Sequence, residues 1–157
     1  MLGLFNRLQR RFRQLKVYGN VFVAPIVAQV STAGTSSAYT LTKLSVGAAK
    51  LDSEISDVGA SNLIVVGGPC ANKVAASVLG KTYPACGDAS GIAKDTAIIK
   101  AVKQTSGKVA LVVAGWEAID TKRATRVLAN YDQYALSGAA VTVTGTSLTD
   151  IKVTKSA

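Results

Sequence analysis

The sequence predicts an α/β fold: a three-layer domain in which a mostly parallel sheet has helices on both faces and ends in a C-terminal antiparallel hairpin. Leu63–Val66 is an apolar run too short for a helix, and two glycines and Asn72, a residue type that starts helices, follow it. Residues 109–113 form a second apolar run, and a glycine and Asp120 follow it in the same order. The last stretch, VTVTGTSLTDIKV, alternates apolar and polar residues around a glycine and predicts the hairpin.

Helical spacing of apolar residues predicts three helices, over residues 72–79, 92–105 and 120–131. The second helix would return the chain to the strand at residues 109–113 through a right-handed crossover, which is the connection that parallel strands require. Further upstream, the alternation in residues 51–55 favours a short, half-exposed strand.

The chain contains no His. Without His, a protein lacks the commonest general base, the usual partner that activates a nucleophile and the commonest metal ligand. Catalytic triads, His-bearing zinc sites and histidine proton relays are therefore excluded. We expect a protein that is not an enzyme and that has no catalytic residue, no metal site and no cofactor.

Positive charge is concentrated at the start of the chain. The net charge is +9, yet residues 1–50 hold seven basic residues and no acidic one, and the remainder is close to neutral. Outside the first twenty residues, no face interleaves basic and aromatic residues, so we expect no nucleic-acid partner. Charged residues make up 17% of the chain, against about a quarter in a typical soluble domain. The resulting surface of small residues suits packing against neighbouring subunits, and it is equally common on plain secreted domains.

The two cysteines, Cys70 and Cys86, flank the first predicted helix with 15 residues between them. A disulfide is favoured over two buried thiols, because each cysteine lies close to a proline in a loop-like context rather than in an apolar run. In the chain-entropy model, closing such a loop stabilises the fold by about 3 kcal/mol. The disulfide indicates an oxidising compartment or a hyperthermophilic source.

A basic, amphipathic helix is predicted over residues 1–20, with arginines and no acidic residue around its apolar side. That side is formed by Phe5, Leu8, Phe12 and Leu15. Three interpretations compete: a helix that packs in an assembly, an anchor at a membrane surface, and the basic start of an export signal. Assembly is favoured and contact with a membrane surface comes second. The signal is disfavoured, because Pro25 interrupts its apolar core.

Residues 21–30, VFVAPIVAQV, predict a strand that Pro25 confines to a sheet edge or a bulge. A flexible run completes the segment at residues 21–38, and the α/β domain is expected over residues 39–157. The strand can pair within its own sheet or with the sheet of a neighbour, and pairing within its own sheet is favoured. It joins the N-terminal helix in the predicted assembly surface, to which it contributes Val21, Phe22 and Val23.

Two loops are expected at one edge of the predicted sheet, where α/β proteins bind ligands. Their candidate ligand-binding residues are Gly67, Gly68, Trp116 and Glu117. An exposed Trp beside carboxylates there could stack on a sugar or bind a cation. Simpler assignments are favoured: the glycines make a tight turn, the Trp covers the end of the sheet, and Asp120 caps a helix whose Arg123 lies in solvent.

Three segments resemble one known family. In chain order they are NLIVVGGPCAN, ALVVAGWEAIDTKRATRVLANYDQYALSG and the terminal VTVTGT. Their order and spacing are similar to those of the C-terminal module of archaeal S-layer proteins, over residues 40–153. The resemblance departs at Lys122, which separates Thr121 from the Arg that follows Thr in the family motif. A weaker similarity links the G-G-P segment to bacterial cell-wall-binding repeats.

The resemblance implies an extracellular structural protein at the cell surface, whose identical copies assemble into a layer or a filament. We therefore expect a self-assembling subunit of an S-layer or an extracellular filament, with copies of itself as partners. The alternative is a module that binds glycan or a cell-wall polymer through the two loops.

Overall fold

A computed structural model describes residues 49–156, so the predicted helix at residues 1–20 and the predicted strand at residues 21–30 lie outside the described residues. Five strands, two α-helices and three 3₁₀ turns form the described part. The strands are β1 (Leu63–Val66), β2 (Ala97–Lys103), β3 (Val109–Gly115), β4 (Ala140–Thr144) and β5 (Lys152–Lys155). The helices are α1 (Lys73–Val78) and α2 (Ala118–Ala129), and the 3₁₀ turns are Asp52–Glu54, Gly87–Ser90 and Tyr131–Gln133.

The five strands form one mixed sheet in the order β1-β3-β2-β4-β5. β1 and β3 are parallel, whereas β2 is antiparallel to both β3 and β4, and β5 is antiparallel to β4. The prediction of a three-layer α/β domain with a mostly parallel sheet is therefore wrong. The described part is a small mixed sheet with few helices.

The error lies in residues 92–105, where the sequence predicted a crossover helix and the structure has β2. Ile98 and Ile99 point to opposite faces of the sheet, because successive side chains alternate along a strand. The turn that follows closes a hairpin onto β3, with the N–H of Gly107 donating to the carbonyl of Gln104 (2.9 Å). The φ of Gly107 is +81°, so this glycine marks a hairpin turn rather than the end of a helix.

The predicted strand at residues 51–55 is also wrong, because the chain forms the 3₁₀ turn Asp52–Glu54 there. The carboxylate of Asp52 accepts the backbone N–H of Lys73 (2.8 Å), at the first residue of α1. This contact ties the entering chain to the start of the helix, so the segment does not join the sheet.

Apolar side chains fill both faces of the sheet. The cluster on the α1 side comprises Leu63, Val65, Val74, Ala75, Val78, Ile92, Ala110, Val112 and Ala114. The cluster on the α2 side comprises Ile64, Ala97, Ile99, Leu111, Val113, Ala124, Val127, Leu136, Val141 and Val143. β3 contributes to both clusters, so the core is centred on this strand, and each fully buried large side chain contributes about 1.5–3 kcal/mol.

The predicted C-terminal hairpin is confirmed. β4 and β5 pair in a register that runs from Val141 opposite Lys155 to Thr144 opposite Lys152. The turn between them requires a glycine at position 145, where φ is +150° and a Cβ would overlap the carbonyl oxygen of Asp150.

Both helices have local start signals. The side chain of Asn72 caps α1 by accepting the N–H of Ala75 (3.0 Å), as the sequence predicts. Gly80, with φ of +66°, follows the end of this helix. α2 begins at Ala118, two residues before Asp120, the residue predicted to cap it.

Candidate functional site

The loops that follow β1 and β3 lie side by side. Val66 is opposite Val113 in the parallel register, so the carboxyl ends of both strands lie at the same end of the sheet. The N–H of Gly67 continues the ladder by donating to the carbonyl of Val113 (2.9 Å). A Cβ on Gly68 would lie 3.1 Å from the carbonyl oxygen of Gly115. Close approach of the two loops therefore accounts for a glycine at position 68.

Trp116 covers the end of the sheet. It is half-buried against the α1-side cluster, and its backbone N–H donates to the carbonyl of Thr96 (2.9 Å). Its ring reaches Gly87, where a Cβ would lie 3.7 Å from the indole Cη2. Glu117 is exposed and lies immediately before α2. The candidate ligand-binding residues thus meet at one end of the sheet, and the packing of the indole favours its role as a cover.

A disulfide joins Cys70 to Cys86, as the sequence predicts. Their Cα atoms are 4.5 Å apart and both residues are exposed. The carbonyl of the buried Pro69 accepts the N–H of Ala85 (3.1 Å) beside the bond. Together these links fasten the loop after β1 to the segment that follows α1.

Sequence reasoning missed a buried ion pair at the start of α2. Nη1 of Arg123 donates to Oδ1 of Asp120 at 2.7 Å, and the two residues are 5% and 2% exposed. The other carboxylate oxygen of Asp120 accepts the backbone N–H of Glu117 (3.0 Å), so this residue caps the helix from inside its first turn. The prediction that Arg123 lies in solvent is wrong. Spacing of i, i+3 between opposite charges was the signal that could have found the pair.

Gly115 makes room for this pair. A Cβ at this position would lie 2.5 Å from the Cβ of Asp120 and would overlap the backbone nitrogen of Thr121. The stem of Arg123 in turn lies against Gly145, where a Cβ would be 3.3 Å from its Cδ. The ion pair therefore connects the end of β3 to the turn between β4 and β5.

The outer edge of β1 has no partner strand among residues 49–156. The N–H of Gly67 points to β3, so the backbone groups of Ile64 and Val66 point the other way, to the outer edge. The amide of Asn72 donates to the carbonyl of Val66 (3.2 Å). A small pocket beside the edge is lined by Lys50, Asp52, Ile55, Leu63, Ile64, Val65, Asn72 and Val74.

β5 forms the opposite edge of the sheet, with exposed lysines at its two ends, Lys152 and Lys155. In the turn that precedes it, the hydroxyl of Thr146 donates to the carboxylate of Asp150 (2.9 Å). This hydrogen bond, followed by one from the backbone of Thr146, lowers the pKa of Asp150 below its ordinary value. Lysines on an edge strand discourage pairing with another chain.

Residues 49–156 contain no group of three His, Cys, Asp or Glu side chains that could hold a metal ion. No helix in this part of the chain is long and apolar enough to cross a membrane. The predicted assembly residues lie outside the described residues; they are Phe5, Leu8, Phe12, Leu15, Val21, Phe22 and Val23.

Comparison with known proteins adds one finding about the family. The family described as "S-layer like family, outer domain" matches residues 19–131, which is more than half of the chain. The match includes the predicted strand at residues 21–30 as well as β1 and β3. No curated protein and no solved structure matches the chain.

Proposed function

Since the chain belongs to the S-layer like family, outer domain, we propose that its copies assemble into an S-layer or an extracellular filament. Family membership gives the chain a structural role at the cell surface. The observation that supports self-assembly most is the match over residues 19–131, because it joins the predicted assembly strand and the strands β1, β2 and β3 in one family unit.

Two further features support an extracellular building block. The disulfide between Cys70 and Cys86 is exposed, and such bonds persist in oxidising surroundings. In addition, the low content of charged residues, 17%, leaves a surface on which neighbouring subunits can pack closely.

The predicted N-terminal helix offers a direct test with the full chain. Replacing Leu8 and Phe12 with Glu places two charges on its apolar side. Replacing Asn6 and Gln14 with Glu introduces the same charges on the opposite side, and this variant is the matched control.

Sedimentation velocity and negative-stain electron microscopy are the readouts. We expect ordered sheets or filaments from the unchanged chain and from the control, and smaller particles from the variant at Leu8 and Phe12. An unchanged chain that stays a monomer over the accessible concentration range would refute self-assembly. Equal assembly of both variants would remove the helix from the mechanism.

Glycan or cell-wall-polymer binding is the second function that the sequence predicts. It is supported by the meeting of Gly67, Gly68, Trp116 and Glu117 at one end of the sheet. A glycan array probed with the unchanged chain and with Trp116→Ala tests it, and Tyr83→Ala, which removes an aromatic ring that is 50% exposed, is the control. Binding that only Trp116→Ala abolishes would support this function, and an array without signal would refute it.

Contact with a membrane surface is a further proposal for residues 1–20, supported by their arginines and their lack of acidic residues. It predicts that the full chain sediments with anionic vesicles at low salt and is released at high salt, because the Debye length falls from about 30 Å at 0.01 M to about 3 Å at 1 M. No sedimentation at low salt would refute it.

A further inference from the structure

We propose that the disulfide between Cys70 and Cys86 is a redox-sensitive switch that controls the exposure of Trp116. When a dithiol reduces the bond, residues 82–91 move away from the end of the sheet and uncover the indole. This inference goes beyond the proposed function, because it needs neither self-assembly nor a bound glycan.

The segment at residues 82–91 has few buried contacts. Eight of its ten residues are exposed, and the two buried ones are Ala85 and Ser90. The backbone hydrogen bonds of its 3₁₀ turn, Gly87–Ser90, join residues of the segment to one another. Segments with so little buried surface open locally at low cost, while the rest of the fold stays intact.

The residues on either side of the segment are held firmly. The N–H of Lys81 donates to the carbonyl of Ala76 at the end of α1 (2.8 Å). Ile92 is 3% exposed and belongs to the α1-side cluster. The segment can therefore swing out between these two points and return to the same place.

Two links fasten the middle of the segment to the loop after β1 in the described part of the chain. One is the hydrogen bond from the N–H of Ala85 to the carbonyl of Pro69 (3.1 Å), and the other is the bond between Cys70 and Cys86. A backbone hydrogen bond adds little net stability, because water replaces it when the segment opens. The disulfide is therefore the link that keeps the segment in place.

The fastened segment covers Trp116. Gly87 follows Cys86 directly, and a Cβ at Gly87 would lie 3.7 Å from the indole Cη2. Trp116 itself is held independently of the segment, because its N–H donates to the carbonyl of Thr96 (2.9 Å) and its side chain packs on the α1-side cluster. Opening of the segment thus exposes the indole and leaves Trp116 where it is.

The disulfide is accessible to reduction, since both cysteines are exposed. One thiolate of the dithiol attacks a sulfur atom of the bond and forms a mixed disulfide, which the second thiolate of the same molecule then displaces. The dithiol is oxidised to its own disulfide with the loss of two electrons, and Cys70 and Cys86 become thiols. Neither cysteine belongs to an apolar cluster, so the sheet and its core are retained in the reduced protein.

Intrinsic fluorescence of the full chain tests the switch, because Trp116 is its single Trp. The protein is measured before and after treatment with dithiothreitol, and a thiol titration shows that both cysteines are reduced. We expect reduction to shift the emission maximum to longer wavelength and to increase quenching by acrylamide, with an unchanged far-UV circular dichroism spectrum. The matched control, Cys70→Ser with Cys86→Ser, should show the exposed signal from the start and should not respond to dithiothreitol.

Amide hydrogen exchange separates local opening from general unfolding. After reduction, the amide of Ala85 should exchange faster, whereas the amides of Trp116 and of Leu79, which bonds to Ala75 at the end of α1, should keep their rates. An unchanged emission maximum and unchanged quenching in a chain with two free thiols would refute the switch. Faster exchange at all three amides together with a loss of circular dichroism would show that the bond holds the whole fold, and would overturn the inference as well.

Discussion

The two edges of the sheet differ in how they meet their surroundings. β5 carries exposed lysines and follows a turn that Asp150 closes by hydrogen bonds, so this edge is suited to water. β1 is apolar on both faces and buried, and beside it the disulfide between Cys70 and Cys86 fastens the adjoining loop. The comparison shows that one edge strand of the sheet is charged and exposed, whereas the other is apolar and buried.

The largest expected effect follows from breaking the ion pair that supports the β5 side. Asp120→Ala leaves the charge of Arg123 buried without its partner, and we expect a loss of about 3–5 kcal/mol in the free energy of unfolding. Urea unfolding followed by circular dichroism measures it. The double variant Asp120→Leu with Arg123→Met is the control, and it should lose less, because no unpaired charge remains. A double variant less stable than Asp120→Ala would contradict this account.

Removing the disulfide weakens the β1 side. Replacing Cys70 and Cys86 with Ser should cost about 3 kcal/mol, because the unfolded chain regains the freedom of a closed loop of about 15 residues. Thermal unfolding with and without a reductant measures the change. The reductant should lower the midpoint of the unchanged chain and leave that of the double variant unaltered; equal midpoints for the two proteins would argue against a stabilising crosslink.

Asn72 makes two separable contacts at the end of β1. Its side-chain oxygen caps α1 and its amide donates to the carbonyl of Val66. Asn72→Ala removes both, and loss of the cap alone is worth about 1 kcal/mol. Asn72→Asp keeps the cap and removes the donor. We therefore expect its free energy of unfolding, measured by chemical denaturation, to lie between that of the unchanged chain and that of Asn72→Ala. If Asp and Ala are equally destabilising at this position, the cap contributes nothing.

The smallest effect concerns Asp150 on the β5 side. Its pKa is lowered, so its contribution to stability is present above about pH 4, the ordinary carboxyl range, and is lost as the pH falls through the lowered value. Thr146→Val removes the hydroxyl donor and should raise the pKa toward its ordinary value in an NMR titration. Thr149→Val is the control, because the hydroxyl of Thr149 bonds to Ser147 instead. If Asp150 titrates with the same pKa in Thr146→Val and in Thr149→Val, the hydroxyl of Thr146 is not what lowers the pKa of Asp150.

Sequence reasoning succeeded where a signal was local. The runs that became β1 and β3, the cap at Asn72, the disulfide and the final hairpin each have a short pattern of their own. It failed over residues 97–103, AIIKAVK, because apolar residues at Ile98, Ile99 and Val102 fit the period of a helix as well as that of a strand. Pairing with β3 and β4 makes this segment a strand rather than a helix, and the sequence of one segment does not show which strands it will pair with.

In the candidate sites, too, features with a local sequence pattern were predicted and features that depend on distant residues were missed. That the loops after β1 and β3 end together follows from their shared strand-loop-helix pattern. The burial of Arg123 depends instead on Gly145, a residue of a distant turn that lies against its stem. A basic residue near a helix start gives no local sign that such a turn will cover it.

The most direct test of the central claim, that copies of the chain assemble, is sedimentation velocity of the full chain over a range of protein concentrations. The account predicts particles larger than the monomer, whose share grows with concentration. A single species with the mass of the monomer, 16.2 kDa, at every accessible concentration would contradict the claim.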